Sequence, residues 1–245
     1  HERIGLAPAA DLVGYTTDPD TTRGNLGQFA LKQEQLADAA SSQVDVLLQE
    51  WADFFSTPQD GSTNLERAMD EARKKGVAQV NPVGNLNLSK KHVERKLIPN
   101  QSRTLRIQVD EGYGGGGNPS PYTEMWGALL WDTEQQPTFT MVTPGGKAVL
   151  LNDQQNQTVD GMTVDAKLQT SPRGTHHLLF VAWVDNHRER VEPGTWKIEV
   201  DDVDQKDVLI GRVMDSYSSW GGGIRWKNPT RDRGTMVFPS TADSA

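Results

Sequence analysis

The chain has no cysteine among its 245 residues. Disulfides, thiolate metal sites and a cysteine nucleophile are therefore excluded. It also has no apolar run near the roughly 20 residues that a membrane-spanning helix requires. Positive charge is scarce, since 25 Lys and Arg stand against 33 Asp and Glu and leave a net charge of −8. Nucleic acid and anionic membranes both favour a basic face, so neither is expected as a partner.

The remaining composition is that of a soluble globular protein. A hydrophobic content of 35% is enough for a buried core, and the length allows one large domain or two ordinary ones. The first residues, HERIGLAPAADLVGY, lack the layout of a signal peptide. We therefore expect the chain to begin either as a mature protein or as an internal fragment, and its compartment stays open.

The first third of the sequence alternates between strand and helix patterns. ADLVGY and VDVLLQE are typical of strands, and residues 24–43 have a helical pattern between them. DGSTNLERAMDEARKKG predicts a second helix, with Ser62 as its N-cap and Gly76 as its stop, and VAQVN follows as a strand. Strands joined through helices by short connections predict parallel pairing in an α/β layer.

After Leu88 the helical period disappears. Short apolar segments recur between turn sequences such as TPGG, SPRG and EPG; they are TLRIQV, MWGALLW, TFTMV, KAVLL, HLLFVAWV and TWKIEV. This spacing predicts an antiparallel β-sandwich of jelly-roll or Greek-key type. The predicted organisation is an α/β domain from residues 1–90 and 206–245, with the sandwich at residues 91–205 inserted into it.

Five segments resemble parts of the subtilisin-like serine proteases, in the order of that family. GLAPAADLVGY resembles the segment after the catalytic histidine, and VDVLLQEWADF and DGSTNLERAMDEARKKGV resemble the next strand and helix. AQVNPVGNLN is similar to the strand that ends in Ala-Ala-Gly-Asn. GTMVFPSTADSA is similar to the Pro-Ala-Thr-Ala segment that precedes the nucleophilic serine. The resemblance covers about residues 3–88 and 234–245.

The resemblance implies a partial subtilase-type parallel α/β layer with an inserted jelly-roll-like sandwich. PTFTMVTPGGKAVLLN and VEPGTWKIEVDD are also similar to galactose-binding-like β-sandwiches. Asn85 stands where the family has its oxyanion-hole asparagine, an amide donor whose removal costs about 10²–10³ in rate. On the residues alone, Gly84 and Asn85 are an ordinary turn at a strand end.

The motifs that hold the family's aspartate, histidine and serine do not occur in this sequence. His1 lies too close to GLAP to be the catalytic histidine, and Ser240 and Ser244 belong to the segment before the nucleophile. We therefore expect no proteolysis from this chain alone, because the base and nucleophile are missing. It is predicted to be an internal fragment of a larger subtilase that acts on proteins or peptides.

Two alternatives are a degenerate, non-catalytic relative and a binding module in which the sandwich recognises a protein or a glycan. The family resemblance favours an extracellular or cell-envelope location. A fragment with an incomplete sheet could also pair with a second copy as a homodimer.

Other polar clusters are weaker candidates, and no metal-binding or cofactor-binding residue is assigned. His176 and His177, with Asp185 and His187, suggest a metal cluster, but adjacent residues on a strand point to opposite faces. Ordinary sheet histidines are therefore the favoured interpretation.

An acidic run after the last predicted strand offers oxygen ligands to calcium; it comprises Asp201, Asp202 and Asp204. A solvated acidic turn is the favoured interpretation of this run.

The tryptophans divide into two predicted groups. Those on predicted strands are expected in the core, namely Trp126, Trp131, Trp183 and Trp196. Those in the glycine-rich segment, Trp220 and Trp226, are candidates for surface contacts with carbohydrate or substrate.

Overall fold

The computed structural model describes residues 10–13, 44–48, 55, 57–81, 89–112, 120–152, 155–185, 190–216 and 223–229. The chain divides into two compact units. The first comprises His1–Gln49 and Asn64–Val80, and the second comprises Glu50–Thr63 and Asn81–Ala245. Among the described residues, no helix has the length and apolar character needed to cross a membrane.

In the first unit, a strand, a helix and a second strand follow one another, and they are β1 (Val46–Leu48), α1 (Asn64–Lys74) and β2 (Ala78–Val80). The two strands pair in parallel, with Val46 opposite Ala78. The sequence prediction of a parallel strand-helix-strand unit is confirmed here. The predicted helix at residues 24–43 lies outside the described residues, and residues 10–13 of the predicted strand ADLVGY form no strand.

The sequence of α1 explains where the helix begins and ends. Glu66 lies in its first turn and two basic residues lie in its last turn, which suits the helix dipole. Gly76 follows with a φ of 92°, a left-handed conformation that glycine adopts readily and that ends the helix. The helix begins at Asn64, so Thr63 directly precedes it, and the N-cap prediction for Ser62 is wrong.

The second unit is an antiparallel sandwich. Its strands are β3 (His92–Leu97), β4 (Arg103–Val109), β5 (Glu124–Trp131), β6 (Thr138–Val142), β7 (Ala148–Leu150), β8 (Gln157–Val159), β9 (Met162–Thr170), β10 (His176–Trp183), β11 (Gly194–Asp201), β12 (Asp207–Asp215) and β13 (Arg225–Trp226). Within the described residues, one sheet has six strands in the order β3-β12-β5-β10-β9-β8, and the other has five in the order β13-β4-β11-β6-β7.

The strand pairing is nested as in a jelly roll. β3 pairs with β12, β4 with β11 and β5 with β10, each antiparallel, and successive pairs alternate between the two sheets. This is the pattern of a long hairpin wrapped into a double sheet. The predicted antiparallel sandwich is confirmed.

The main core lies between the two sheets. Its largest fully buried aromatic side chains are Trp131, Trp196, Trp226, Phe139 and Phe180. Gly127 lies opposite Phe180 in the register of β5 and β10, and the ring of Phe180 lies directly over it. A Cβ atom at position 127 would lie 1.8 Å from that ring, so only glycine fits there.

A second apolar cluster lies on the outer face of the six-stranded sheet. Ala128 and Leu130 of β5 are buried there together with Phe55, a residue that precedes the sandwich in sequence. Partly buried side chains from β10 and β12 pack around them: Leu179, Ile210 and Met214. Strand β5 is therefore buried on both faces, which accounts for its nearly continuous apolar sequence.

The sandwich continues past its predicted end at residue 205. β12 lies between β3 and β5 inside the six-stranded sheet, and β13 pairs with β4. Residues 206–229, assigned from sequence to the α/β domain, thus supply two sandwich strands. Residues 230–245 lie outside the described residues.

Candidate functional site

The predicted oxyanion residue follows the end of β2. That strand ends at Val80, and residues 82–88, which include Asn85, lie outside the described residues. The role of Asn85 therefore stays a prediction. Because β1 and β2 are parallel, the connections that leave them start from the same edge of the strand pair. In α/β folds this carboxyl edge is where ligands bind.

The chain just after this segment is fixed to the sandwich by backbone hydrogen bonds. The carbonyl of Lys90 accepts a bond from the backbone N–H of Trp226 at 2.9 Å. The carbonyl of Lys91 accepts bonds from the backbone N–H of Val213 at 3.0 Å and from the indole N–H of Trp226 at 3.1 Å. The residues that directly follow the segment of Asn85 are therefore bonded to β12 and β13.

A buried ion pair reinforces this attachment. The Lys91 ammonium lies 2.9 Å from the Asp215 carboxylate, and their side chains are 4% and 0% exposed. The same ammonium donates to the carbonyl of Ile224, and the carboxylate accepts from the backbone N–H of Ile224 at 3.4 Å. Burial lowers the pKa of Lys91, while the hydrogen bond and charge of Asp215 oppose that shift. These bonds make Lys91 an anchor between segments far apart in sequence.

The connection between β1 and α1 is also bound to the sandwich. We name its described part, Phe55 with residues 57–63, the crossover segment. The ring of Phe55 meets Trp126 edge to face, with 6.4 Å between ring centroids and planes at 86°. His177 Nε2 lies 3.2 Å from the carbonyl oxygen of Phe55, a geometry that suits a proton carried and donated by Nε2. Phe55 is thus held by its ring and by its backbone.

Asp60 gives the crossover segment a second attachment, at the turn between β9 and β10. Its carboxylate accepts bonds from the hydroxyl of Ser171 and from the backbone N–H of Ser62 at 3.0 Å. Its carbonyl accepts from the guanidinium of Arg173 at 2.7 Å. Burial alone would raise the pKa of Asp60, but the hydrogen bonds that Ser171 and Ser62 donate to its carboxylate outweigh it and lower the pKa below 3.8.

The hydroxyl of Ser171 is occupied within this turn. Besides donating to Asp60, it accepts from the backbone N–H groups of Arg173 and Thr175, each at 3.1 Å. A hydroxyl that is so engaged has a structural role and is poorly placed to act as a nucleophile.

The two adjacent histidines lie on opposite faces of β10, as the sequence predicts. His176 stacks on Trp131 of the main core at 5.2 Å, and its Nδ1 lies 3.0 Å from the hydroxyl of Thr170. His177 faces the outer cluster and Phe55. His187 lies outside the described residues. In the described parts of the chain, no three His, Asp or Glu side chains are grouped to hold a metal.

Two residues of the acidic run at the end of β11 make local contacts. The carboxylate of Asp202 accepts from the hydroxyl of Thr138, and the backbone N–H of Asp204 donates to Gln135 at 3.3 Å. Asp207, which sequence reasoning passed over, is the best-bonded carboxylate in this region. It accepts from the backbone N–H groups of Asp132 and Thr133 and from the hydroxyl of Thr133.

The tryptophan predictions hold only in part. Trp131 and Trp196 are buried in the core as predicted, whereas Trp126 is 38% exposed on the outer face of the six-stranded sheet. The prediction that Trp226 lies at the surface is wrong, since it is 1% exposed and its indole N–H donates to Lys91. Trp220 lies outside the described residues.

Sequence reasoning missed the residues that anchor the site. Lys91 and Asp215 are separated by 124 positions, and Phe55 and His177 by 122. In the structure Lys91 directly precedes β3, and Asp215 is the last residue of β12. Nothing in the local sequence joins either pair.

Comparison with solved structures identifies a distant relative in fold. The chain is similar to the CspB protease of Clostridium perfringens, with a TM-score of 0.63 and 13% sequence identity. The likeness covers 88% of this chain and 44% of that protease, so the chain spans less than half of its length. At this identity the likeness concerns the fold, which is distantly protease-like.

The structural likeness to this protease extends beyond the sandwich. The sandwich strands span residues 92–226, about 55% of the chain, whereas the likeness covers 88%. It therefore includes residues outside the sandwich.

A lipase of Bacillus licheniformis, BlEst2 in its propeptide form, matches with a TM-score of only 0.36 and 11% identity. That match covers 81% of this chain and 52% of the lipase, and its TM-score is too low for a shared fold. No family model matches the chain, and no curated protein matches it significantly.

Proposed function

We propose that this chain is an internal part of a subtilisin-like serine endopeptidase, with Asn85 as the oxyanion-hole donor. The observation that carries the proposal is the fold likeness to a protease over 88% of the chain. The parallel pairing of β1 and β2 adds support, because Asn85 follows β2 in sequence and α/β folds bind ligands at the carboxyl edge of parallel strands. The order of the five family-like segments in the sequence agrees with both.

In this proposal the nucleophilic serine, its histidine and its aspartate belong to other parts of the parent protein. When the serine attacks a peptide carbonyl, the carbonyl oxygen becomes negative, and the Asn85 side-chain amide donates a hydrogen bond to it. The donor acts mainly in the transition state, so it raises kcat more than it tightens substrate binding. The chain by itself would be inactive, and its sandwich would modulate substrate access or stability in the parent.

The test uses the parent protein, expressed from the complete gene. We expect Asn85→Ala to lower kcat for peptide hydrolysis by about 10²–10³. KM should change by no more than about twofold, because a transition-state contact is removed. Asn87→Ala is the matched control, since it removes the same amide two residues away, and it should leave kcat nearly unchanged.

Two results would contradict the proposal. One is a parent protein that neither reacts with a fluorophosphonate probe nor cleaves peptides. The other is an equal loss of kcat in the Asn85 and Asn87 variants, which would indicate a general structural effect. Near-ultraviolet circular dichroism of each variant would show that the fold is retained.

A further inference from the structure

The crossover segment belongs to the connection between β1 and α1, yet its contacts are with the sandwich. Glu50–Thr63 groups with the sandwich unit, whereas the chain on both sides of it, up to Gln49 and from Asn64, groups with the first unit. The crossover segment is therefore part of the sandwich unit, although the sandwich strands follow it in the sequence.

Two different kinds of contact make this attachment. Phe55 is 9% exposed in the apolar cluster on the six-stranded sheet, and His177, 1% exposed, lies within hydrogen-bond distance of its carbonyl. Five positions later, the carboxylate and the carbonyl of Asp60 bind Ser171 and Arg173. The apolar contact of Phe55, called the apolar anchor, and the polar contacts of Asp60, called the polar anchor, together fix the position of the segment on the sheet.

The place of this segment in the chain gives the attachment a functional meaning. It belongs to the connection that follows β1, and α/β proteins bind their ligands through loops at the carboxyl edge of parallel strands. A loop of this kind must be held in position to contribute to binding, and rigid positioning reduces the ordering cost that binding would otherwise carry.

We propose that the six-stranded sheet clamps the crossover segment in a fixed conformation that favours substrate binding, with Phe55, Asp60 and His177 as positioning residues. This inference rests on the proposed endopeptidase function. It differs from the role of Asn85 because it predicts an effect on KM and not on kcat. It also predicts how fast backbone amides of the crossover segment exchange, which can be measured on this chain without any catalysis.

The first test is hydrogen exchange on the full 245-residue chain. The backbone N–H of Ser62 donates to the same Asp60 carboxylate that accepts from Ser171 of the sandwich, so its exchange reports whether that carboxylate is held in place. We expect Phe55→Ala to speed exchange at Ser62 by about tenfold or more, because releasing the apolar anchor frees the polar one. Amides of β5 and β10 should exchange as in the unchanged chain.

The matched control is Asp160→Ala. Asp160 also accepts from a hydroxyl, that of Thr143, but it lies at the turn between β8 and β9, away from the crossover segment. This variant should leave exchange at Ser62 unchanged, and Asp60→Ala should accelerate it. If Phe55→Ala leaves exchange at Ser62 within about twofold of the unchanged chain, the two anchors act independently and the clamp is wrong.

The second test measures peptide hydrolysis by the parent protein. Phe55→Ala and Asp60→Ala should each raise KM about threefold to tenfold and leave kcat within about twofold. If Asn85→Ala lowers kcat while the clamp variants change neither constant, the clamp has no role in binding and the proposed function stands. If the parent does not cleave peptides, the proposed function and the binding role fail together, and exchange alone decides whether the clamp exists.

Discussion

Replacing Lys91 by methionine should be among the most damaging single changes in the sandwich. Methionine keeps most of the apolar stem but removes the ammonium, and the Asp215 carboxylate, 0% exposed, then loses its ion-pair partner. Breaking a fully buried ion pair from one side costs about 3–5 kcal/mol. In a domain of this size that corresponds to a melting temperature lower by roughly 6–20 °C.

Denaturation in urea, followed by tryptophan fluorescence, measures this loss. Trp226 is a nearby reporter, because its indole N–H donates to the Lys91 carbonyl. Lys147→Met is the matched control: Lys147 forms a pair with Asp160 at 2.8 Å, but its side chain is 65% exposed. An exposed pair of this kind contributes about 0–1 kcal/mol.

A double variant separates the charge from the packing. Lys91→Met combined with Asp215→Asn removes both charges and keeps an oxygen that can accept from the backbone N–H of Ile224. It should recover most of the stability lost in the single variant, because no buried charge is then left unpaired. The reasoning is refuted if Lys91→Met costs no more than Lys147→Met, or if the double variant is less stable than the single one.

Two further predictions concern packing and pH. Gly127→Ala should destabilise the sandwich by about 1–3 kcal/mol in urea, because its Cβ would lie 1.8 Å from the Phe180 ring, and adding Phe180→Leu should recover part of that loss. Burial alone would raise the pKa of Asp207, but hydrogen bonds led by those of Thr133 lower it below 3.8. The stability that these bonds contribute to the fold is therefore present above pH 3.8 and is lost as the pH falls through the lowered pKa. Asp207→Asn should therefore be less stable than the unchanged chain at neutral pH and approach its stability at low pH; parallel curves of stability against pH would contradict this.

The sequence by itself determined the local elements of this protein. The helical period with its glycine stop predicted α1, and alternation between turn sequences predicted six of the sandwich strands, from β4 to β11. These signals are local, because a strand or helix that buries one face repeats its apolar residues at a fixed spacing. The resemblance of AQVNPVGNLN to a protease segment drew attention to Asn85, whose role awaits the kinetic test.

Only the tertiary structure decided what binds these elements together. It put β12 inside the six-stranded sheet and Trp226 in the core, and it joined Lys91 to Asp215 across 124 positions. It also brought the crossover segment onto the sheet through Phe55. From sequence, a lysine or an aspartate is expected at the protein surface, and so is a lone aromatic residue in a glycine-rich stretch. Burial becomes favourable only when a partner from a distant strand supplies the opposite charge or the apolar contact.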